Sequence, residues 1–199
     1  MRGRRAVFLD RDGVINHNVL NPATGELEAP LTAAEFKVLP SVPEALRSLQ
    51  KAGYLLFVVS NQPNYAKGKS TPDELRAIDG KLQRELAAMR VEMAEMYYCR
   101  HHPEGVVPEY SVVCECRKPS PYFLRKAARE FGIDLGQSWM VGDRVTDVEC
   151  GRAAGVRTAL VGTSGMPCVE ADWTGEDLAE AVEHILSVQV REDGNAQLC

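Results

Sequence analysis

The sequence has no long hydrophobic run, no excess of positive charge and no repeated or low-complexity segment. Its longest purely apolar stretch is Tyr54–Val59, whereas a membrane-spanning helix needs about 20 apolar residues. The amino-terminal MRGRRAVFLD starts with basic residues, but Asp10 interrupts its apolar part too early for a secretion signal. The formal net charge of −5 is the opposite of the basic excess that nucleic-acid-binding proteins normally carry. We therefore expect a cytoplasmic protein whose partners are neither nucleic acid nor membrane.

The length and composition predict one folded domain. A chain of 199 residues corresponds to little more than one domain of about 150 residues. The hydrophobic fraction of 45% and the charged fraction of 26% are ordinary values for a folded protein. We predict a single domain over residues 1–190, a frayed polar tail over residues 191–199, and a monomer.

Short apolar runs alternate with helical patterns along the chain. The runs that predict strands are Ala6–Leu9, Tyr54–Val59, Met96–Tyr98, Trp139–Val141 and Arg157–Val161. The predicted helices start at Ser41, Thr71, Ser120, about Val145 and about Glu176, and the last of them ends near Val188. Apolar runs without polar alternation are typical of strands covered on both faces. The pattern therefore predicts a three-layer α/β/α, Rossmann-like domain with a central parallel sheet.

Polar side chains follow three of the predicted strands. Asp10, Ser60 and Asp143 each come directly after an apolar run. Because ligands of parallel sheets bind beyond the carboxyl ends of the strands, we expect these three groups to converge. Asp12 adds a second carboxylate near Asp10, so one can act as a nucleophile and the other as a general acid. Without partners, such a pair is equally typical of a solvated turn.

Further groups near these strand ends indicate phosphoryl transfer. Asp143 can complete an oxygen site for Mg²⁺, and Asp147 lies on the same face of the helix that follows it. Ser60 offers a hydroxyl, and Asn61 a backbone N–H, to an oxyanion. Arg117–Lys118 precedes a helix N-terminus, where anions bind favourably. A nucleophile, an acid, a metal site, a hydroxyl and a lysine together are what catalysis at phosphorus requires.

A cluster of cysteine and histidine predicts a structural zinc site in the loop 99–116. The four candidate ligands are Cys99, His101, Cys114 and Cys116. Three thiolates and one imidazole form a closed tetrahedral zinc site, and in a cytoplasmic protein such clustering indicates metal rather than disulfides. His102 is an alternative to His101, and free thiols in a flexible loop are the alternative to zinc. The remaining cysteines, Cys150, Cys168 and Cys199, show no comparable spacing.

Four segments resemble, in family order, the motifs of phosphatases of the haloacid dehalogenase superfamily. They are Phe8–Asn16, Val59–Gln62, Cys114–Pro119 and Met140–Asp143. Within the superfamily, the sequence resembles phosphatases of D-glycero-D-manno-heptose 1,7-bisphosphate, with histidinol-phosphate phosphatases as near relatives. The resemblance implies Mg²⁺-dependent hydrolysis of a sugar bisphosphate at its 7-phosphate, in the synthesis of activated heptose for lipopolysaccharide. Histidinol phosphate is the second candidate substrate, and a non-catalytic phosphate-binding or zinc-stabilised interaction module is the candidate from another class.

The resemblance also implies a role for each residue near the strand ends. Asp10 would attack phosphorus and become the aspartyl phosphate, while Asp12 would protonate the departing oxygen and then activate water. The Asp10 carboxylate, the Asp12 carbonyl and Asp143 would hold Mg²⁺. Ser60 and Lys118 would hold the phosphoryl oxygens.

Substrate recognition is expected in loops, because neither the segment between Gly13 and Ser41 nor the loop 99–116 is long enough for a cap domain. The resemblance implies that Arg117 recognises substrate, and Arg144 occupies a position where the family often has lysine. The other implied substrate-contact positions are Asn18, Val19, Leu20, Asn21, Asn61, Gln62 and Pro63. Lys67 and Lys69 flank the same region, where they could grip a second phosphate or lie in an ordinary solvated loop.

Overall fold

The computed structural model describes residues 3–22, 25–162 and 170–196 and has a six-stranded parallel sheet at its centre. The strands are β1 (Ala6–Leu9), β4 (Leu55–Asn61), β5 (Glu95–Cys99), β6 (Trp139–Gly142), β7 (Arg157–Val161) and β8 (Trp173–Gly175). Their order across the sheet is β5-β4-β1-β6-β7-β8, and every neighbouring pair is parallel. The strands that end at Leu9, Asn61 and Gly142 are therefore adjacent in the middle of the sheet.

Helices cover both faces of this sheet. They are α1 (Val42–Lys51), α2 (Pro72–Ala88), α3 (Tyr122–Phe131), α4 (Val145–Ala154) and α5 (Leu178–Ala196). The side chains of β1 are all buried: Val7 and Leu9 pack in a cluster with residues of α1, α2 and α5, and Ala6 and Phe8 pack in a cluster with residues of α3 and α4. The alternation along one strand thus fills two separate cores, and the predicted three-layer fold is confirmed.

Helix α2 begins with the capping box that the sequence predicts at Thr71. Thr71 Oγ1 accepts a hydrogen bond from Glu74 N at 3.2 Å, and the Glu74 carboxylate accepts one from Thr71 N at 2.7 Å. This reciprocal capping box satisfies backbone donors that the first turn would otherwise leave unpaired. Further along α2, one face of the helix is buried against the core, and it includes Leu75, Ile78 and Leu82.

The sequence patterns did not predict three features of the fold. A small antiparallel hairpin pairs β2 (Val19–Leu20) with β3 (Leu27–Glu28), and β8 extends the sheet at its edge. The last helix, α5, runs to Ala196 and not only to about Val188. The strands of the hairpin and of the sheet edge are too short to give a periodic pattern.

The domain boundary and two of the cysteines are predictions that the structure does not test. The division into a domain over residues 1–190 and a tail stays a prediction. Cys168 and Cys199 lie outside the described residues. Among the described helices, none combines the length and the apolarity that crossing a bilayer demands.

Candidate active site and metal centres

The carboxyl ends of β1, β4 and β6 form the centre of the site. Asp10, the first residue beyond β1, donates its backbone N–H to Val141 O at 2.9 Å, which extends the pairing of β1 with β6. Ser60 lies near the end of β4, next to β1, and Asp143 directly follows β6. Parallel pairing thus brings to one edge the three groups that the sequence predicts there.

Lys118 is the buried cation of this edge. Its side chain is 3% exposed, and Nζ lies 2.9 Å from Asp10 Oδ1 and 2.6 Å from Asp147 Oδ1. Nζ also donates to Val59 O at 2.7 Å. Burial by itself lowers the pKa of a lysine, but the Asp10 and Asp147 carboxylates raise the pKa of Lys118 above its ordinary value. The lysine is therefore held as a cation against two carboxylates.

Asn61 fixes the backbone from which Lys118 extends. Asn61 Nδ2 donates to Lys118 O at 3.1 Å, and Asn61 Oδ1 accepts from Lys118 N at 3.0 Å. One side-chain amide thus satisfies both backbone polar groups of the lysine. The lysine belongs to a loop, yet it is attached to the central strand β4 in this way.

Three carboxylates lie close to one another, two of them paired with the lysine, and this concentration of negative charge favours a divalent cation. One oxygen each from Asp10, Asp143 and Asp147 lies within 4.8 Å of the other two. Burial and the charges of Asp10 and Asp147 raise the pKa of Asp143 to about 7, and burial raises the pKa of Asp147 to about 6 although Lys118 opposes this. Asp143 Oδ1 is buried without a hydrogen-bond partner in the described part of the chain. Carboxylate oxygens with excess negative charge are the ligands that Mg²⁺ prefers, so these residues fit that ion.

Two glycines leave room for these carboxylates. Gly13 has a φ of +82°, and a Cβ atom there would collide with the Asp143 carboxylate. A Cβ atom on Gly142 would collide with the side chain of Asp147. The glycines that follow Asp12 and precede Asp143 are therefore required by the close packing of the acidic groups.

The Asp12 carboxylate is held on both oxygens. Arg11 donates to Asp12 Oδ1 from Nε at 3.2 Å and from Nη2 at 3.0 Å, and Asn16 Nδ2 donates to the same oxygen at 2.9 Å. Gln62 Nε2 donates to Asp12 Oδ2 at 2.5 Å and to Ser60 Oγ at 3.0 Å. Arg11 and Asn16 were missed from the sequence. The one available signal was the position of Arg11 between two aspartates.

A cavity of about 480 Å³ opens onto Asp10, Asp12 and Lys118. Of the substrate-contact positions implied by the resemblance, those that line it are Asn61, Pro63, Arg117 and Arg144. Its remaining charged lining residues are Glu26, Glu28, Lys67, Lys69 and Asp147. Lys69 Nζ is paired with Glu28 at 2.8 Å. The cavity therefore combines Asp10, Asp12 and Lys118 with further cations, of which Arg144 has its Nε 3.9 Å from Asp143 Oδ1.

The other implied contact positions lie elsewhere. Gln62 is buried beside Asp12, and Asn18 Nδ2 donates to Asp143 Oδ2 at 3.3 Å. Val19 and Leu20 form β2, and Asn21 Nδ2 donates to Glu28 at 3.1 Å. None of these five residues is among the described residues that line the cavity, and their contact with substrate stays a prediction.

The four predicted zinc ligands form a compact cluster. Cys114 Sγ lies 3.5 Å from Cys99 Sγ and 3.4 Å from Cys116 Sγ, and His101 Nδ1 lies 3.9 and 3.6 Å from the sulfurs of Cys99 and Cys116. Zinc–sulfur bonds of about 2.3 Å and zinc–nitrogen bonds of about 2.1 Å in a tetrahedron separate the ligand atoms by about 3.6–3.8 Å. The cysteines are free thiols, so the cluster fits zinc and is not a disulfide.

The contacts of the two histidines show which of them belongs to the cluster. His102 Nδ1 accepts a hydrogen bond from Glu104 N at 3.2 Å, and the ring does not belong to the cluster. His101 O accepts a hydrogen bond from Arg117 Nη1 at 3.3 Å. The ring of His101 is therefore the one placed for metal, and its backbone connects the cluster with a cation of the cavity.

Comparisons with known proteins agree with this geometry. A family model described as HAD-hydrolase-like matches residues 115–182. The chain is 38% identical over 180 residues to D-glycero-beta-D-manno-heptose-1,7-bisphosphate 7-phosphatase of Salmonella typhi, covering 88% of this chain and 92% of the relative. It is 36% identical over 189 residues to the phosphatase of the same name from Escherichia coli K12, covering 92% and 95%.

A solved structure gives the same result. The D,D-heptose 1,7-bisphosphate phosphatase of B. bronchiseptica, crystallised with magnesium and phosphate, superimposes with a TM-score of 0.74 at 30% identity, over 92% of this chain and 98% of that one. The chain is therefore a member of the D-glycero-beta-D-manno-heptose-1,7-bisphosphate 7-phosphatase family of HAD-like hydrolases.

Proposed function

We propose that the protein hydrolyses the 7-phosphate of D-glycero-β-D-manno-heptose 1,7-bisphosphate with the help of Mg²⁺. The observation that carries this proposal is the grouping of the Asp10, Asp143 and Asp147 carboxylates, two of which pair with buried Lys118, beside a cavity that is lined by further cations. The names of the relatives supply the sugar and its anomer. We also infer that the protein acts in the cytoplasm, as a monomer.

The first step is attack of an Asp10 carboxylate oxygen on the phosphorus. The bond from phosphorus to the sugar oxygen breaks, and an aspartyl phosphate forms on Asp10. Lys118 Nζ lies within 2.9 Å of Asp10, so it can stay beside the phosphoryl oxygens as negative charge shifts onto them. The Ser60 hydroxyl and the Asn61 N–H are the remaining donors assigned to those oxygens. The Asp10 and Asp143 carboxylates and the Asp12 carbonyl would hold Mg²⁺, whose charge would offset negative charge on the nucleophile and the phosphate.

Asp12 handles the protons of both steps. It gives a proton to the departing sugar oxygen, and it then takes a proton from the water that attacks the aspartyl phosphate. The hydrogen bonds from Arg11, Asn16 and Gln62 hold its carboxylate in one orientation. A fixed orientation matters because general acid–base catalysis requires the donor within hydrogen-bond reach of the reacting oxygen.

Cations at the rim of the cavity suit the second phosphate of a bisphosphate. Lys67, Arg117 and Arg144 line the cavity together with the nucleophile. Lys69 is already paired with Glu28, so we assign the 1-phosphate to the other three. Of these three, Arg144 also has its Nε 3.9 Å from Asp143 Oδ1, and Arg117 Nη1 donates to His101 O at 3.3 Å.

We further propose that Cys99, His101, Cys114 and Cys116 hold a structural zinc ion. The site is closed by four protein ligands, so it offers no position for a substrate. Its role is to fix the loop that precedes Arg117 and Lys118. The distances in the cluster and the free state of its cysteines support this assignment.

Phosphate release with Mg²⁺ tests the function. The heptose 1,7-bisphosphate, histidinol phosphate and other sugar phosphates are compared by kcat/KM, and ³¹P NMR identifies which phosphate remains on the sugar. We expect the heptose bisphosphate to be preferred and its 1-phosphate to be retained. A preference for histidinol phosphate would reverse the assignment. A protein that releases no phosphate, with Asp10→Asn behaving identically, would support the non-catalytic interaction module instead.

A further inference from the structure

Four charged side chains of alternating sign form a row from the cysteine–histidine cluster to Asp12. They are, in order, Arg100, Asp79, Arg11 and Asp12. We propose that Arg11 and Asp79 are positioning residues for the acid–base role of Asp12, and that Arg100 anchors them to the cluster. The proposal rests on the proposed phosphatase function. We call these four residues the charge row.

Arg11 is the buried centre of the charge row. Its side chain is 1% exposed. One edge of the guanidinium donates hydrogen bonds to Asp12, and Nη2 on the same edge also donates to Gln62 Oε1 at 2.8 Å. The remaining nitrogen, Nη1, lies 3.7 Å from Asp79 Oδ1. A planar guanidinium can address these partners at once, whereas the point charge of a lysine cannot. Arg11 therefore helps to set the orientation of Asp12, together with Asn16 and Gln62.

Asp79 connects two arginines from different parts of the chain. It lies on α2 beside the core residue Ile78, and its side chain is 20% exposed. Its Oδ2 accepts a hydrogen bond from Arg100 Nη2 at 2.7 Å while its Oδ1 faces Arg11. The Tyr98 ring lies beside both guanidinium groups, with centroid distances of 6.0 Å to Arg11 and 5.4 Å to Arg100. Asp79 is thus fixed on one side by a partner that does not touch the cavity.

Arg100 ties the charge row to the cluster because it lies between two of its members. Cys99 and His101 are its chain neighbours, and both contribute ligand atoms to the cluster. Because Cys99 and His101 are held in the cluster, the backbone of Arg100 between them has little freedom to move. The ion pair of Arg100 with Asp79 therefore restricts the position of Asp79, and with it the position of Arg11. The loop with the cluster therefore restrains Asp12 through side chains, in addition to its backbone link to Lys118.

The effect of misorienting Asp12 on the rate depends on the leaving group of the substrate. An alkoxide leaving from a sugar needs a proton from Asp12, whereas a 4-nitrophenolate is a much weaker base and departs without one. The ratio kcat/KM reports on the steps up to the formation of the aspartyl phosphate, which both kinds of substrate share apart from this proton. Disturbing the orientation of Asp12 must therefore slow the sugar phosphate more than 4-nitrophenyl phosphate.

The test compares Asp79→Asn with the matched control Asp73→Asn. Both aspartates are on α2, and Asp73 pairs with Arg76 at the exposed surface. General acid–base catalysis contributes about 10²–10⁴-fold, so partial misorientation in Asp79→Asn is expected to lower kcat/KM for the heptose bisphosphate about fivefold. The value for 4-nitrophenyl phosphate should change less than about twofold, and so should the inhibition constant of inorganic phosphate. The control should match the wild type.

Two further variants keep the test decisive. Arg100→Gln should reproduce the selective loss, and adding it to Asp79→Asn should cause little further loss, because both act through one contact. Arg11→Lys should give a larger selective loss if it folds. Equal losses on both substrates, a weakened phosphate inhibition, or no loss in Asp79→Asn would each overturn the proposal. If the wild type does not hydrolyse the heptose bisphosphate, the proposed function fails, and the charge row is tested with any alkyl phosphate that it does hydrolyse.

Discussion

Replacing Lys118 by methionine removes the buried ammonium and keeps a side chain of similar length. Lys118 Nζ has carboxylate oxygens of Asp10 and Asp147 at 2.9 and 2.6 Å. With an effective dielectric constant of about 20, each contact at about 3 Å has a Coulomb energy of about 5–6 kcal/mol before desolvation is counted. Measured losses on breaking one side of a buried ion pair are about 3–5 kcal/mol, because the partner charges stay buried. We expect the free energy of unfolding of Lys118→Met without metal to fall by about 3–5 kcal/mol.

Magnesium should reduce this loss, because the site without the ammonium carries one more net negative charge and binds the cation more tightly than the wild-type site does. A ligand stabilises the folded state by RT ln(1 + [L]/Kd), so the variant gains more from Mg²⁺ than the wild type. The assay is urea denaturation of wild type and variant, with EDTA and with saturating Mg²⁺. Lys126→Met is the matched control: Lys126 pairs with Glu130 at 3.7 Å on the surface, where such pairs contribute about 0–1 kcal/mol. Phosphate release by Lys118→Met should fall at least about 100-fold. A stability loss as small as that of the control, or one that Mg²⁺ leaves unchanged, would refute the reasoning.

Three other perturbations test the nucleophile, the cluster and the acidic groups. Asp10→Asn should lower phosphate release at least about 10³-fold with an unchanged circular dichroism spectrum, because an amide cannot attack phosphorus; higher residual activity would exclude Asp10 as the nucleophile. Cys114→Ser should lose bound zinc in elemental analysis and accelerate hydrogen exchange over residues 99–118, and full zinc content would contradict the assignment. Burial and neighbouring carboxylates raise the pKa of Asp143 to about 7, and burial raises the pKa of Asp147 to about 6. Both values lie above those of the unfolded chain, so the metal-free folded state binds more protons than the unfolded state between about pH 4 and pH 7. Its free energy of unfolding should therefore fall as the pH rises through this window, with a smaller slope in Asp143→Asn, and denaturation curves that show no slope would be evidence against this electrostatic account.

The sequence was informative where a general rule links chain order to position. Asp10, Ser60 and Asp143 follow apolar runs, and parallel strands bring such positions to one edge of a sheet. The start of α2 could be predicted because a capping box is a local pattern. The family of the chain followed from four short motifs, and the comparisons confirm it.

The rest depends on contacts between residues that are distant in the chain. Gln62 holds Asp12 across two strands, and Asp79 meets Arg100 from a different element. No period or motif reports such pairs, because each residue alone looks like an ordinary polar side chain. The hairpin of β2 and β3 escaped prediction for another reason: each of its strands has only two residues, which is too few for an alternation to register.

The side-chain amide of Asn61 has a consequence for how the protein can change. Because it grips both backbone polar groups of Lys118, the lysine is tied to β4 independently of the loop that leads to it. The cysteine–histidine cluster closes the base of that loop, whose middle reaches over to Ala66 O through the N–H groups of Val106 and Val107. We therefore expect insertions or exchanges between His102 and Val113 to leave the lysine in place. The length and sequence of this loop can thus vary in related proteins while the buried ammonium keeps its position beside Asp10.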